Sequence, residues 1–373
     1  MQQAAYWITI SHLKRWKYGQ INELINRIYI DNGSDLQEFF SLDPEEWGNN
    51  YAIDEKRISS LLEAKEQLVN NAFLAESLYN QGFELIPLNS PDYSPTLKDN
   101  LKLTYSPPLL YIKGNKQLLV EDSIAIVGSR IASSRGLSFT DNVAKKATER
   151  YKVIVSGFAK GIDKAALDSA LKYHGHSIIV LPQGVMTFGS GYKMYYKQII
   201  DGDVLVLSTF HPNAPWEVKL AMARNPIIYG LAKEIFVADS SNSGGTWSGV
   251  KDGLRKGRQI YIRRPSEDET SANNLLIKMG GIAVDEKGNP EIQQETEKQA
   301  VSTTSIQDNL PSRVVVLLTN IALTAKEICT QLGIDMPSKQ MKEVLSKMEE
   351  IEKVKIGRSV KYRVRQPEIF DLK

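Results

Sequence analysis

Residues 123–163, SIAIVGSRIASSRGLSFTDNVAKKATERYKVIVSGFAKGID, decide the architecture of this 373-residue chain. Ile124-Ala125-Ile126-Val127 is apolar without alternation, as a strand covered on both faces requires, and it breaks at Gly128-Ser129-Arg130. Ser133 and Ser134 can cap a helix whose apolar positions Phe139, Val143 and Ala147 keep helical spacing. A second apolar strand, Val153-Ile154-Val155, ends in Ser156-Gly157, and a second helix begins near Gly161. Strand, glycine turn and helix, twice over, make a βαβ unit. Both turns fall where strands end and helices begin, so amide groups lack partners there and the helix dipole is positive. Arg130 and Lys160 add full charges beside the turns. The combination predicts an edge that holds phosphates.

The same rhythm continues on the C-terminal side. Apolar strands are expected at 177–181, 204–207, 234–238 and 259–262, separated by helical segments from Gly161 to Tyr173, Tyr192 to Ile200, Trp216 to Arg224 and Gly245 to Lys256. Continuous apolar strands alternating with helices predict an α/β fold, a doubly wound, mostly parallel, Rossmann-like sheet. On the N-terminal side, residues 82–115 carry Pro91, Pro95, Pro107 and Pro108 and a strand-like run at 109–114, which suits an edge strand or a strap.

Around this centre lie smaller units. Residues 1–80 have helical periodicity (Ile21, Leu24, Ile25, Ile28; then Leu61, Leu62, Leu68, Phe73) and predict a small helical module of the helix-hairpin-helix or sterile-alpha-motif kind. A packing or dimer-organising role and a DNA-gripping role both fit, although Lys17-Tyr18-Gly19-Gln20 is a poor version of a DNA-gripping hairpin. The sheet domain is expected over 82–284. Residues 285–308, polar and without aromatics, predict a linker. Residues 309–373 predict a winged-helix-like unit: a helix at 314–318, a helix opened by a Thr324/Glu327 capping box, a third from Ser338 to Ile351, and a basic ribbon turning at Gly357-Arg358. Such a unit binds duplex DNA or docks protein; Glu349, Glu350 and Glu352 disfavour a phosphate backbone.

Composition narrows the function classes. A chain 42% hydrophobic and 24% charged is an ordinary globular protein, and a net charge of +2 makes any basic surface local. The single Cys329 excludes an internal disulfide and a cysteine-rich zinc site. Without a signal-peptide core or a run of transmembrane length, the expected location is the cytoplasm, with no membrane partner. The four histidines (His12, His174, His176, His211) are scattered, and neither a P-loop nor a GxSxG elbow occurs. No catalytic residue, metal or cofactor is therefore predicted.

The segments IAIVGSR (124–130), VSGFAKGIDKAAL (155–167), IVLPQGV (179–185), ARNPIIYGLAKEIFVAD (223–239) and SGGTWSGVKDGLRKGRQIYI (243–262), in that order, resemble the DprA/Smf family of DNA-processing proteins, a Rossmann-like branch related to the LOG nucleotide hydrolases. The resemblance covers roughly 82–265. It implies a non-enzymatic recombination mediator that binds single-stranded DNA without sequence preference, protects it, helps load a RecA-type recombinase, as in natural transformation, and acts as a homodimer. The implied binding residues are Gly128, Ser129, Arg130, Ser156, Gly157, Lys160, Gly161, Arg224, Asn225, Gly244, Gly245 and Thr246, with Asp163 in the second motif. Lys251, Arg255, Lys256 and Arg258 would extend a basic track, with Trp247 or Trp216 as stacking platforms for bases. Departures from the family pattern fall at Pro226, Leu167, Lys160, Ser208-Thr209 and the 243–247 turn; they leave room for a divergent paralogue working on another nucleic acid or in defence. The alternative is a LOG-like nucleotide sensor or nucleoside-monophosphate hydrolase, disfavoured because no carboxylate follows Thr246 within a helical turn.

Overall fold

The computed structural model describes residues 2–269 and 271–291 and, further on, 314–315, 317–318, 322–332, 334, 336–346, 348, 351–356 and 359–364. The described residues up to 291 form one compact unit and those from 314 a second.

The first unit is built on a nine-stranded sheet. Its strands are β1 (Glu84–Pro87), β2 (Leu109–Lys113), β3 (Ser123–Val127), β4 (Val153–Ser156), β5 (Ser177–Val180), β6 (Val204–Ser208), β7 (Glu234–Val237), β8 (Ile260–Arg263) and β9 (Ile282–Val284). They lie in the order β1-β2-β6-β5-β4-β3-β7-β8-β9. From β6 across to β9 every pairing is parallel; β2 pairs antiparallel with both β1 and β6. The six expected parallel strands are all present. The 109–114 run lies one position in from the edge, because β1 pairs outside it. β1 and β9 were not expected.

Alternate residues serve two cores. Ala125, Val127, Val155, Val180 and Val237 face the helices Pro95–Tyr105, Asn225–Leu231 and Gly244–Arg255. Ile124, Ile126 and Ile154 face the helices Ser134–Glu149 and Ile162–Lys172, which bury Phe139, Val143 and Ala166. The N-terminal helices share a further core with β2, β5 and β6, where Trp7, Ile8, Leu24, Phe39 and Trp47 meet Tyr111, Ile179 and Val206. Two of these helices begin with capping boxes, Asp35/Glu38 and Asp43/Glu46. Each fully buried Ile, Leu or Phe contributes ~1.5–3 kcal/mol.

Residues 285–291, expected at the start of the linker, instead close a turn. Asp285 accepts from the Lys287 and Asn289 amides, and the Glu291 amide returns to the Ala283 carbonyl at 3.0 Å. The rest of the expected linker, 292–308, lies outside the described residues.

In the second unit Thr324 and Glu327 form the expected capping box at the start of the helix Ala325–Leu332. The third helix is shorter than expected, Ser338–Ser346, because Ile351 already begins a strand. Strands β10 (Ile351–Ile356) and β11 (Ser359–Val364) pair antiparallel; Gly357 and Arg358 lie outside the described residues. Ile328, Met341, Leu345 and Tyr362 fill the core. Among the described residues no helix is long and apolar enough to cross a membrane.

Candidate nucleic-acid interface

The chain winds outward from β3 to β6, then returns to the other side of β3 as β7. The reversal opens a crevice at the carboxyl ends of β3 and β7, where open parallel sheets bind ligands. A cleft of about 390 Å³ lies there. Gly128, Ser129, Arg130, Arg224, Asn225, Gly244, Gly245 and Thr246 all line it, so eight of the expected binding residues converge.

The turn after β3 is set by close backbone packing. A Cβ on Gly128 would come within 2.6 Å of the Ile162 side chain, and one on Gly161, itself at φ +81°, within 2.4 Å of the Ser129 carbonyl. The Ser129 amide donates to the Asp239 carbonyl at 2.9 Å, and the Ile131 amide to Ser129 Oγ at 3.1 Å. These two glycines let the turns interlock, a role distinct from ligand approach.

Asp239, just beyond β7, is the hub of this rim. Its Oδ2 accepts from the Ser133 amide (3.1 Å) and hydroxyl (2.7 Å), while Oδ1 meets the guanidinium of Arg263 at 2.6 Å. Arg263 is fully buried and also binds the Ala238 carbonyl and Glu269, whose carboxyl is held down at about 2, chiefly by the hydrogen bond from Arg263. Sequence reading missed all three residues. The only signal was a carboxylate directly after an apolar strand.

The turn after β4 is closed from within. Asp163 accepts from the Gly157 and Ala159 amides and faces Arg224 at 3.6 Å. Arg224 donates to the Val180 carbonyl at 3.1 Å, and its guanidinium lies where a Cβ on Gly157 would be, 1.5 Å away. Burial pushes the Asp163 carboxyl up and the Arg224 guanidinium down, and each is the main opposing influence on the other. Ser156 is buried and donates to the Ile126 carbonyl at 2.8 Å. Ser156, Gly157 and Gly161 do not line the cleft, and Arg224 reaches it already paired.

The helix Gly244–Arg255 begins differently. Ser243 offers its helix no side-chain cap, and no acidic residue occupies the first turn. Among the described residues the amides of Gly244, Gly245 and Thr246 have no acceptor, as expected of an uncapped start. Thr246 Oγ1 donates to the Gly128 carbonyl at 3.0 Å, tying this start to the first turn. Arg130 is exposed at the mouth and makes no ion pair among the described residues. Lys160 is also exposed, makes no ion pair among the described residues, and does not line the cleft.

Of the expected basic track, Lys251, Arg255 and Lys256 stay exposed and Arg258 turns back onto the protein. Arg258 donates to the Tyr229 carbonyl at 2.8 Å and also to that of Ala232; Arg255 and Lys256 pair with Asp252; the Lys251 ammonium sits 5.8 Å from the centre of the Trp247 ring. Trp247 is partly buried against the core of this face, whereas Trp216 is half exposed. The departures also have structural places. Pro226 sits in the first turn of the helix Asn225–Leu231, where its missing amide proton costs nothing; Leu167 is core; Thr209 hydrogen-bonds Tyr18.

The family model for DNA recombination-mediator protein A matches residues 84–295. The DNA processing protein DprA of Streptococcus pneumoniae is 35% identical over 156 residues, 42% of this chain and 55% of that protein. Protein Smf of Escherichia coli is 30% identical over 208 residues, 54% of each. The chain spans just over half the length of these two curated relatives. The X-ray structure of DprA from Streptococcus pneumoniae superposes with a TM-score of 0.61 at 26% identity, covering 76% of this chain and 94% of that one.

Proposed function

The chain belongs to the DNA recombination-mediator protein A family, and on that premise we propose that it binds single-stranded DNA at the cleft beside β3 and β7. One observation carries the reading: the Gly244–Thr246 amides and the guanidinium of Arg130, without acceptors or ion pairs among the described residues, face the same cleft at the switch point of the sheet. Amides at a helix start and a guanidinium are both phosphate ligands, and together they suit a polyanion rather than a neutral ligand. Lys160, just outside the cleft, extends the positive rim, and half-exposed Trp216 offers a face for a base.

On this reading the protein shields the strand and helps load a RecA-type recombinase, working as a homodimer in the cytoplasm, as in natural transformation. Family membership supports these finer points. A non-catalytic role is supported by Asp163, the carboxylate lining the cleft, being engaged by two amides and Arg224 rather than free to move a proton.

The test is titration of a labelled oligothymidylate by anisotropy at several salt concentrations. Arg130→Ala should weaken binding at least tenfold, the equivalent of one charge-assisted hydrogen bond of ~1.5–3 kcal/mol. It should also flatten the log–log salt slope by roughly 0.7. Unchanged affinity and slope would remove the site.

A further inference from the structure

We infer that a recess with a basic rim, at the amino ends of β3 and β7 and so at the far end of the strands from the cleft, docks an acidic segment of a partner protein. One apolar side chain of that segment enters the recess, and carboxylates on either side of it meet the rim.

The recess arises where helical cover ends. The helix Ser134–Glu149 packs over β3 and β4, with Phe139 and Val143 against Ile124, Ile126 and Ile154. Beside it Phe236 of β7 and Tyr261 of β8 stay only partly buried, their rings stacked at 4.9 Å and 17°. The turn at 285–291 makes the far wall. Gly288, at φ +72°, lies so near the helix that a Cβ on it would come within 2.8 Å of the Val143 side chain. A space of about 110 Å³ remains, floored by Ile124, Val143, Ala147, Phe236 and Tyr261. An apolar cavity of ~150 Å³ takes benzene, so this one suits a single side chain of leucine size.

The rim carries Lys146, Arg150, Lys152 and Lys287 against one carboxylate, Glu234. In a chain of net charge +2 that is a local concentration of positive charge. Lys152 pairs with Glu234, and Lys146 donates to the Asn289 side chain. Arg150 and Lys287 are exposed and make no ion pair among the described residues. Asp285, on the same turn as Lys287, accepts from the Lys287 and Asn289 amides instead.

Floor and rim together select the occupant. A phosphate chain would meet the cations and leave the floor in water. A nucleobase would bring polar edges to a floor whose one polar group, the Tyr261 hydroxyl, already faces Gln259 at 3.4 Å, and groups buried without partners are costly. An aliphatic side chain loses no hydrogen bond there, and flanking carboxylates complement the rim.

The probe is an aspartate-rich dodecapeptide with a central leucine and a trifluoroacetyl cap, titrated with the full chain and read by fluorine NMR line width, which registers weak binding. Exchanging the leucine for serine should weaken binding about tenfold, the effect of one apolar side chain left unburied. Reversing the rim with Arg150→Glu and Lys287→Glu together should also weaken it about tenfold, and both sites are exposed enough to leave the fold intact. The same double variant should hold oligothymidylate within about twofold of wild type. Absence of line broadening, equal binding of the leucine and serine peptides, or equal binding by wild type and variant overturns the inference. So does strand affinity that falls in step with peptide affinity, which would assign the rim to nucleic acid.

Discussion

The helices Ile162–Lys172 and Gly244–Arg255 both begin at a glycine beside the centre of the sheet, and both aim their first turns at the carboxyl edge. The first carries Asp163 in its opening turn; that carboxylate takes two nearby amides and meets Arg224. The second has no acidic residue in its opening turn and a Ser243 that does not cap it. One start is thus closed by its own chain, and the other leaves three amides for an outside anion. A glycine turn between strand and helix marks where amides converge. Whether a ligand can use them depends on whether the chain also brings an acceptor.

The open start depends on a scaffold, and breaking that scaffold gives the largest expected effect. Arg263 is fully buried and joins Asp239 to Glu269, fixing the segment that leads into Ser243. Arg263→Met keeps much of the volume but strands two carboxylates, which should cost ~3–5 kcal/mol. All five tryptophans lie within residues 1–291, so urea unfolding followed by tryptophan fluorescence reports on this unit alone. A midpoint within error of wild type would show that the Arg263 cluster does not hold the rim.

Next comes the closed start. In Gly157→Ala the added methyl would occupy the place of the Arg224 guanidinium. Overpacking of this kind costs ~1–3 kcal/mol. Gly157 itself lies outside the cleft but Arg224 lines it, so strand affinity of the folded variant should fall only as far as the displaced guanidinium disturbs the cleft, and only together with stability. A large loss of affinity with unchanged stability would mean that the β4 turn binds the strand after all, and the contrast between the two starts would be lost.

How much of this was legible in the chain follows from the same contrast. β3 to β8 stood out because residues such as Ile124–Val127 and Val204–Leu207 are buried on both faces and so are apolar throughout. β1 did not, since only Ile86 of its four residues is buried and it ends in Pro87; β9 has three residues. At the site, the glycine turns and Arg130 were visible as local patterns. The roles of Asp163, Asp239 and Arg263 were not, because each acts on partners brought close only by strand order or turn closure, such as the adjacent β7 and β8. The basic residues show the converse: Arg255, Lys256 and Arg258 cluster in sequence, and their partners, within a few residues or on the helix behind, appear only in the fold.

The smallest expected effect separates charge at the cleft from charge beside it. Arg130 and Lys160 are both exposed and make no ion pair among the described residues, and a count of positive residues would rank them equally. Only Arg130 lines the cleft. A guanidinium there can join the Gly244–Thr246 amides on one phosphate, in a geometry that a flexible ammonium outside the cleft does not share. At physiological salt, charges farther apart than about 8 Å are largely screened from each other. Lys160→Ala should therefore weaken strand binding only about two- to threefold, under ~1 kcal/mol, against at least tenfold for Arg130→Ala. The Lys160 effect should vanish first as salt rises. If Lys160→Ala instead matched Arg130→Ala at every salt concentration, the strand would have to run over the closed helix start as well, and the cleft would be one contact among several rather than the anchor.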